Sequence, residues 1–225
     1  MSDRLLEILT DSFSKILLPG LTMTIPLTVI SFVFAMLIAL SVALIQVANI
    51  RGLKMLARFY IWVIRGTPLL VQLYVMFFGL PKLGILLEPF PAAVIVFAIN
   101  TGAYDAETMR AAIESIPRGQ MEAGYCVGMN YLQIMRRIVL PQAMRVAFPS
   151  LSNSLISLVK DTSLAANITV LEMFMATQRI VARTYEPLAL YIEVGLLYLL
   201  FSTILTKLQS VGEKHLGRYD RKEAA

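Results

Sequence analysis

The sequence predicts an all-α integral membrane protein of about five transmembrane helices, with the N-terminus outside and the C-terminus inside. Three observations predict it. Of the 225 residues, 57% are hydrophobic, where a soluble chain has about 45–50%, and the mean hydropathy is +0.70. Several uncharged apolar runs approach or meet the roughly 20 residues that cross a bilayer as a helix. Lysine and arginine gather on one side of the successive runs, as they do in cytoplasmic loops.

The first run extends from about Leu21 to Val47 without a charge, and Pro26 is tolerable within a membrane helix. The residues ahead of it, Met1-Ser2-Asp3-Arg4 with Glu7 and Asp11, are mixed to acidic, so the run reads as a retained span and not a secretory signal. The second run, about Phe59 to Leu80, is interrupted by Arg65-Gly66-Thr67-Pro68, which predicts a break or kink. Tyr60 and Trp62 near its cytoplasmic end read as interface anchors. The third starts near Pro91 and reaches about Ile113. The fourth follows Pro149 and runs to about Ala166 with an unusual polar load. The fifth spans about Pro187 to Lys207. Between them, Asn49 to Arg58 is short and basic, and Pro81 to Phe90 is turn-rich. Arg118 to Arg145 is long and amphipathic, and Glu172 to Glu186 predicts a further amphipathic helix lying at the surface. No linker, low-complexity tract or internal repeat divides the chain, so residues 1–225 read as a single transmembrane domain.

Five spans place Arg51, Lys54, Arg58, Arg110, Arg118, Arg136, Arg137, Arg145, Lys207, Lys214, Arg218, Arg221 and Lys222 on one side. The other side receives only Arg4, Lys15, Lys82, Arg179 and Arg183. The first group marks the cytoplasm. The net charge of +5 is thereby explained by topology, with no need for a nucleic-acid partner. One cysteine, Cys126, and one histidine, His215, exclude an intrachain disulfide and argue against a metal site. The sequence contains no G-x-x-x-x-G-K-[ST] phosphate loop, no serine elbow and no His-Glu-x-x-His. These absences predict a chain that is not an enzyme by itself and needs no cofactor of its own.

The strongest local signal is Glu122-Ala123-Gly124-Tyr125-Cys126-Val127-Gly128, followed after nine residues by Ile138-Val139-Leu140-Pro141. Helical composition on either side of Gly128-Met129-Asn130 predicts a compact helix-turn-helix protrusion. Small residues at Ala123, Gly124 and Gly128 would let another surface approach, and Glu122 would offer a charge. This stretch resembles the EAA loop of ABC importer permeases, E-A-A, three residues, G, nine residues, I-x-L-P. Gly124 departs from the second alanine and should soften the helix by about 1 kcal/mol. Three further segments, Arg65 to Gln72, Asn100 to Ala111 and Lys160 to Ala165, resemble the polar amino acid uptake subfamily. The cystine-type members are the most similar, particularly around Phe78-Gly79-Leu80-Pro81 and Lys160 to Ala166. The resemblance implies the type I importer permease fold and a multi-pass subunit of a prokaryotic cell (inner) membrane. It implies a coupling element over about 118–141 that carries Glu122, Ala123, Gly124, Gly128, Ile138, Leu140 and Pro141. It also implies two cytoplasmic ATPase subunits that bind the ATP, a second permease copy or paralogue, a solute-binding protein outside, and contact with membrane lipids.

Ionisable residues within the runs are expensive in lipid and face an interior or a cavity. They are Arg65, Asp105, Glu107, Lys160, Asp161 and Glu193. Asn100, Tyr104, Glu107 and Ala111 share one helix face, which would line a translocation path; alternatively Glu107 pairs with Arg110. Asp161 and Thr162 are candidates for ligand contact, or else the end of one helix and the cap of the next. Arg65 would bind a substrate carboxylate, or satisfy carbonyls freed by Pro68. Ser152, Asn153, Ser154 and Ser157 place the fourth span centrally, since hydroxyl and amide groups favour helix–helix contact. The function expected is an ATP-driven permease for polar amino acids, with cystine as the candidate substrate. The alternatives are a self-contained secondary transporter or channel, and a membrane scaffold.

Overall fold

The computed structural model describes the backbone of residues 3–48 and 50–223, and the side chains of residues 3–48 and 50–216. Met1, Ser2 and Asn49, and the side chains of Arg218, Arg221 and Lys222 used in the charge comparison, lie outside the described residues. All elements among the described residues are helical.

Helix α1 is continuous over Asp3–Ala48, 46 residues, and so begins well ahead of the predicted first span. At 1.5 Å per residue it is about 70 Å long, more than twice the roughly 30 Å of a hydrocarbon core. Its first part, Asp3–Pro19, carries the charged residues, and a π turn at Gly20–Thr24 leads into the apolar part. Gly20 is required there, because a Cβ would stand 2.7 Å from Met173 Sδ. Helices α2 (Arg51–Arg65) and α3 (Leu69–Leu83) meet at a bend of 102°. Pro68 lacks an N–H and disfavours helical backbone at Thr67, so the predicted interruption becomes a corner, and Phe59 to Leu80 is not one straight span. Helix α4 (Pro89–Glu114) coincides with the third run. Proline at its first position sacrifices no helical hydrogen bond.

A short helix α5 (Arg118–Cys126) follows. Helix α6 starts at Tyr131–Ile134, passes through a π turn at Met135–Val139 and continues as Leu140–Asp161. Pro149 is therefore inside a helix and does not precede it. A proline within a spanning helix loses one backbone bond, which neighbouring groups can offset. A 3₁₀ segment, Thr162–Ile168, leads to α7 (Met173–Thr184) and α8 (Pro187–Glu223).

Among the described residues, α1 and Pro187–Leu216 are long and apolar enough to cross a membrane alone, and the bent α2–α3 pair meets the same length and composition when taken as one broken span. Helices α4 and α6 complete the five segments. They fall short on composition because they carry polar groups; Asn100 and Asp105 of α4 are buried, whereas Asn153, Ser157 and Lys160 of α6 are exposed. The most extensive helix pair is α1 with α4. Ala35, Ala39 and Ala43 form a buried stripe on α1, against Gly102, Ala103 and Ala106 of α4. A Cβ on Gly102 would lie 2.9 Å from Ile38 Cγ2 and 3.2 Å from the Ala35 carbonyl oxygen. Small residues are what allow such close backbone approach in a membrane bundle, where packing and not water exclusion drives helix association.

Two carboxylates, half-buried Glu193 and buried Glu172, pin the remaining helices. Glu193 on α8 accepts a hydrogen bond from Ser12 Oγ of α1 at 2.5 Å. Glu172 is fully buried and accepts from the Phe174 and Met175 backbone N–H groups at 2.8 and 2.7 Å and from Tyr198 Oη of α8 at 2.7 Å. It thus caps α7 and fastens it to α8. The amphipathic helix predicted between Glu172 and Glu186 forms, with its inner face (Met173, Ala176, Thr177) buried.

Candidate functional site

Residues 118–141 fold as a helical hairpin whose turn is specified twice. Gly128 has φ +79°. Its N–H donates to the Tyr125 carbonyl at 2.9 Å, and the Met129 N–H donates to the Gly124 carbonyl at 3.0 Å. This is the six-residue closure that favours glycine just beyond a helix end. On the other side Asn130 Oδ1 accepts from the Gln133 N–H, and Gln133 Oε1 accepts from the Asn130 N–H, both at 2.9 Å. This reciprocal pair starts α6.

The hairpin separates the predicted coupling residues into two groups. Glu122 and Ala123 are exposed on α5, together with Tyr125 and Val127. Gly124 is buried, and the surface that approaches it belongs to this chain: a Cβ would stand 2.7 Å from Ile134 Cγ1 and 3.3 Å from Ile138 Cδ1. The glycine in place of alanine is a packing requirement, and Gly128 is a turn requirement. Buried Gly124 is therefore not open to another protein, whereas Gly128 is exposed, with open space where a Cβ would stand. Ile138 and Leu140 are half-buried against the core that includes Met109 and Ile113, while Pro141 is exposed. They anchor the hairpin to the end of α4.

Gly124→Ala is accordingly expected to destabilise the protein, although alanine favours a helix by about 1 kcal/mol, because crowding a packed contact costs about 1–3 kcal/mol. In an Ile134→Ala background the same substitution should stabilise. Thermal unfolding of the four variants checks this. Equal effects in both backgrounds would show that Ile134 does not dictate the glycine.

A cleft of about 350 Å³ opens between α2 and the C-terminal ends of α1 and α4, lined by polar groups including Gln46, Lys54, Arg58, Arg65, Glu107 and Arg110. Glu107 receives Arg110 Nη2 at 2.8 Å and Arg110 Nε at 3.3 Å, and Gln46 Nε2 at 3.0 Å. Arg110 also reaches Glu114 at 2.6 Å. The pairing of Glu107 with Arg110 thus forms, within a cleft open to solvent. Arg65 lies over the Tyr104 ring, 5.0 Å from its centroid. The backbone at the Pro68 corner is satisfied by Gln72 instead. Its Nε2 donates to the Ile64 carbonyl at 2.9 Å, the Thr67 carbonyl at 3.2 Å and Thr67 Oγ1 at 2.8 Å. Asn100 Nδ2 donates to Gln72 Oε1 at 3.0 Å, so Asn100 braces the corner.

Arg65, Tyr104 and Glu107 therefore border one region, with Asn100 linked to it through Gln72. Asp161 and Thr162 lie on a separate segment. Asp161 is half-buried at the end of α6. Thr162 is fully buried and donates its hydroxyl to the Val159 carbonyl at 2.6 Å, so it is not presented to a ligand in this conformation. Two further polar residues matter: Gln46, which the sequence reading does not single out, and Asp105, which it marks as ionisable without naming a partner. Gln46 is the lone amide in an otherwise apolar run, which is the signal that would have marked it. Asp105 is buried in α4 and accepts from Ser154 Oγ of α6 at 2.6 Å. It ties together the two helices that flank the hairpin.

The chain matches the family model for the binding-protein-dependent transport system inner membrane component over residues 35–217. It is 46% identical over 214 residues to the L-cystine transport system permease protein TcyB of Bacillus subtilis (strain 168), covering 95% of this chain and 92% of that one. It is 36% identical over 201 residues to the octopine transport system permease protein OccM of Rhizobium radiobacter, covering 85% and 82%. The crystal structure of an amino acid ABC transporter with histidines superposes with a TM-score of 0.86 at 32% identity, over 96% of this chain and 100% of that one. The fold is the type I importer permease fold. With a family model matched across most of its length and a relative this similar over nearly all of it, the chain belongs to the inner membrane components of binding-protein-dependent ABC transport systems.

Proposed function

We propose that this chain is the permease subunit of an ABC importer for polar amino acids, with cystine the leading substrate, and that the 118–141 hairpin couples it to the ATPase. One observation carries the coupling role. The hairpin presents Glu122 and Ala123 outward while its second arm is α6 itself, without an intervening linker, so a push on the hairpin moves a helix packed against α1, α4 and α8. The substrate class is supported by the similarity to cystine and octopine permeases and by a cleft that offers both charge signs, as a zwitterion requires. Arg65, Asn100, Tyr104 and Glu107 border the path, and Asp161 meets the solute nearer the other end of α6.

The hairpin and the C-terminus face the cytoplasm, and the N-terminus faces outward. The chain acts as one domain and binds no nucleotide. Two cytoplasmic ATPase subunits hold the ATP, a second permease copy or paralogue completes the pore, and an extracytoplasmic protein delivers solute. The test is ATP hydrolysis by the reconstituted complex across a panel of amino acids. Stimulation by cystine and chemically related polar amino acids is expected. Uptake by this chain alone in ATP-free liposomes would overturn the reading in favour of a secondary transporter.

A further inference from the structure

The cleft between α2 and α4 holds more cationic groups than its own carboxylates use. Four cations there face two carboxylates, a net charge of +2. Arg110 spends its guanidinium within the chain, donating from Nη2 and Nε to Glu107 and from Nη1 to Glu114. One guanidinium thus serves two carboxylates and leaves one negative charge in surplus. Across the cleft stand Lys54, Arg58 and Arg65 of α2. Lys54 is already engaged within the chain. Arg58 and Arg65 are exposed, and among the described residues neither donates a hydrogen bond or joins an ion pair. Arg65 rests on the face of the Tyr104 ring and lies near enough to Glu107 to interact with its charge, which leaves its in-plane N–H groups without an acceptor. The two arginines stand at i and i+7, with buried Ile61 between them on the same helix face. Two helical turns separate them, about 10 Å.

We infer that this cleft binds a solute carrying two carboxylates, one held by Arg58 and the other by Arg65, with an ammonium group set against the Glu107–Glu114 edge. The inference rests on the reading of this chain as an amino acid permease, and it narrows the solute to a double amino acid such as cystine in preference to a single one. Unspent guanidinium forks match the paired oxygens of a carboxylate and repel an ammonium group. A solute with one carboxylate would fill one fork and leave the other without a partner. A volume of about 350 Å³ lies at the small end of the range for ligand sites and suits a small solute. A compact anion such as inorganic phosphate would have to draw the two arginines together, and the Glu107–Glu114 edge would repel it.

Trp62 lines the same cleft and is the one tryptophan of the chain, so its fluorescence reports binding. The full chain in lipid nanodiscs is titrated with L-cystine, with S-methyl-L-cysteine, which offers one carboxylate, and with cystine dimethyl ester, which offers none. A Cys126→Ser background prevents disulfide exchange with the exposed thiol. Cystine is expected to bind at least about tenfold more tightly than either analogue, the value of one hydrogen bond between charged groups. Arg58→Gln should weaken cystine binding by about tenfold and bring it level with S-methyl-L-cysteine. Arg65→Gln should do the same from the other end, and Arg58→Lys, which keeps the charge without the fork, should fall between. Arg179→Gln/Arg183→Gln, which removes charge from α7, should leave the preference intact. Equal affinity for cystine and S-methyl-L-cysteine, a preference retained in both Arg58→Gln and Arg65→Gln, or displacement of cystine by an equal concentration of inorganic phosphate would each overturn the inference. Amino-acid-stimulated ATP hydrolysis by the reconstituted complex separates the two levels. Stimulation without a cystine preference in the cleft overturns the two-carboxylate assignment alone, and stimulation by no amino acid overturns the permease reading beneath it.

Discussion

Glu122→Arg is expected to reduce ATP-driven uptake by at least about tenfold, equivalent to 1.4 kcal/mol or more of lost coupling, with the fold and membrane insertion unchanged. The expectation follows from what Glu122 does not do. It is exposed on α5, and among the described residues its side chain makes no hydrogen bond or ion pair with its own chain. The hairpin is held by other means: the closure at Gly128, the reciprocal pair at Asn130 and Gln133, and the Gly124–Ile134 contact. Reversing the charge therefore alters only the outward surface, where a misplaced like charge at an interface costs several kcal/mol. The effect should reach the bundle because α6 is continuous from Tyr131 to Asp161, about 46 Å at 1.5 Å per residue. Uptake and ATP hydrolysis in proteoliposomes, beside circular dichroism of the purified variant, decide the matter. Wild-type uptake would remove the hairpin from the coupling path.

The physics of this chain made some of its features legible and hid others. Apolar runs and the spacing around Glu122 report on single stretches of chain, so the existence of the helices and of the hairpin is legible, although α1 and α6 begin well ahead of the predicted spans. The corner at Pro68 was predictable as an interruption, because proline acts locally. Its angle was not, because the angle depends on Gln72 and Asn100 meeting across two helices. Gly124 illustrates the same limit. Its helix propensity points to a weakness, and only Ile134, ten positions on and folded back, shows the glycine to be a fitted contact. Asp105 and Ser154, and likewise Glu193 and Ser12, are partners distant in sequence. Period and composition mark such residues as costly without naming what satisfies them. The length of α1 was underestimated because Asp3–Pro19 is amphipathic, and a hydropathy criterion detects only the part that enters lipid.

Glu172 is the position where those hidden partners carry the greatest stability. Glu172→Ala is expected to destabilise the fold by about 3 kcal/mol, because each buried donor left unsatisfied costs about 1–3 kcal/mol. Three would be stranded together: the Phe174 and Met175 N–H groups and the Tyr198 hydroxyl. Water cannot readily replace the carboxylate, since Glu172 is 0% exposed and Met173, its neighbour, fills the space against Gly20. Loss of a helix cap alone is worth about 0.5–2 kcal/mol, so the excess over that range measures the tie to α8. Tyr198→Phe isolates this tie by removing one hydroxyl while leaving the cap, and should cost about 1 kcal/mol. In a Glu172→Ala background Tyr198→Phe should instead be neutral or stabilising, since it deletes an orphaned donor. Thermal unfolding in detergent of the wild type, both single variants and the double variant measures the coupling. Additive effects would mean that Glu172 caps α7 without holding it to α8.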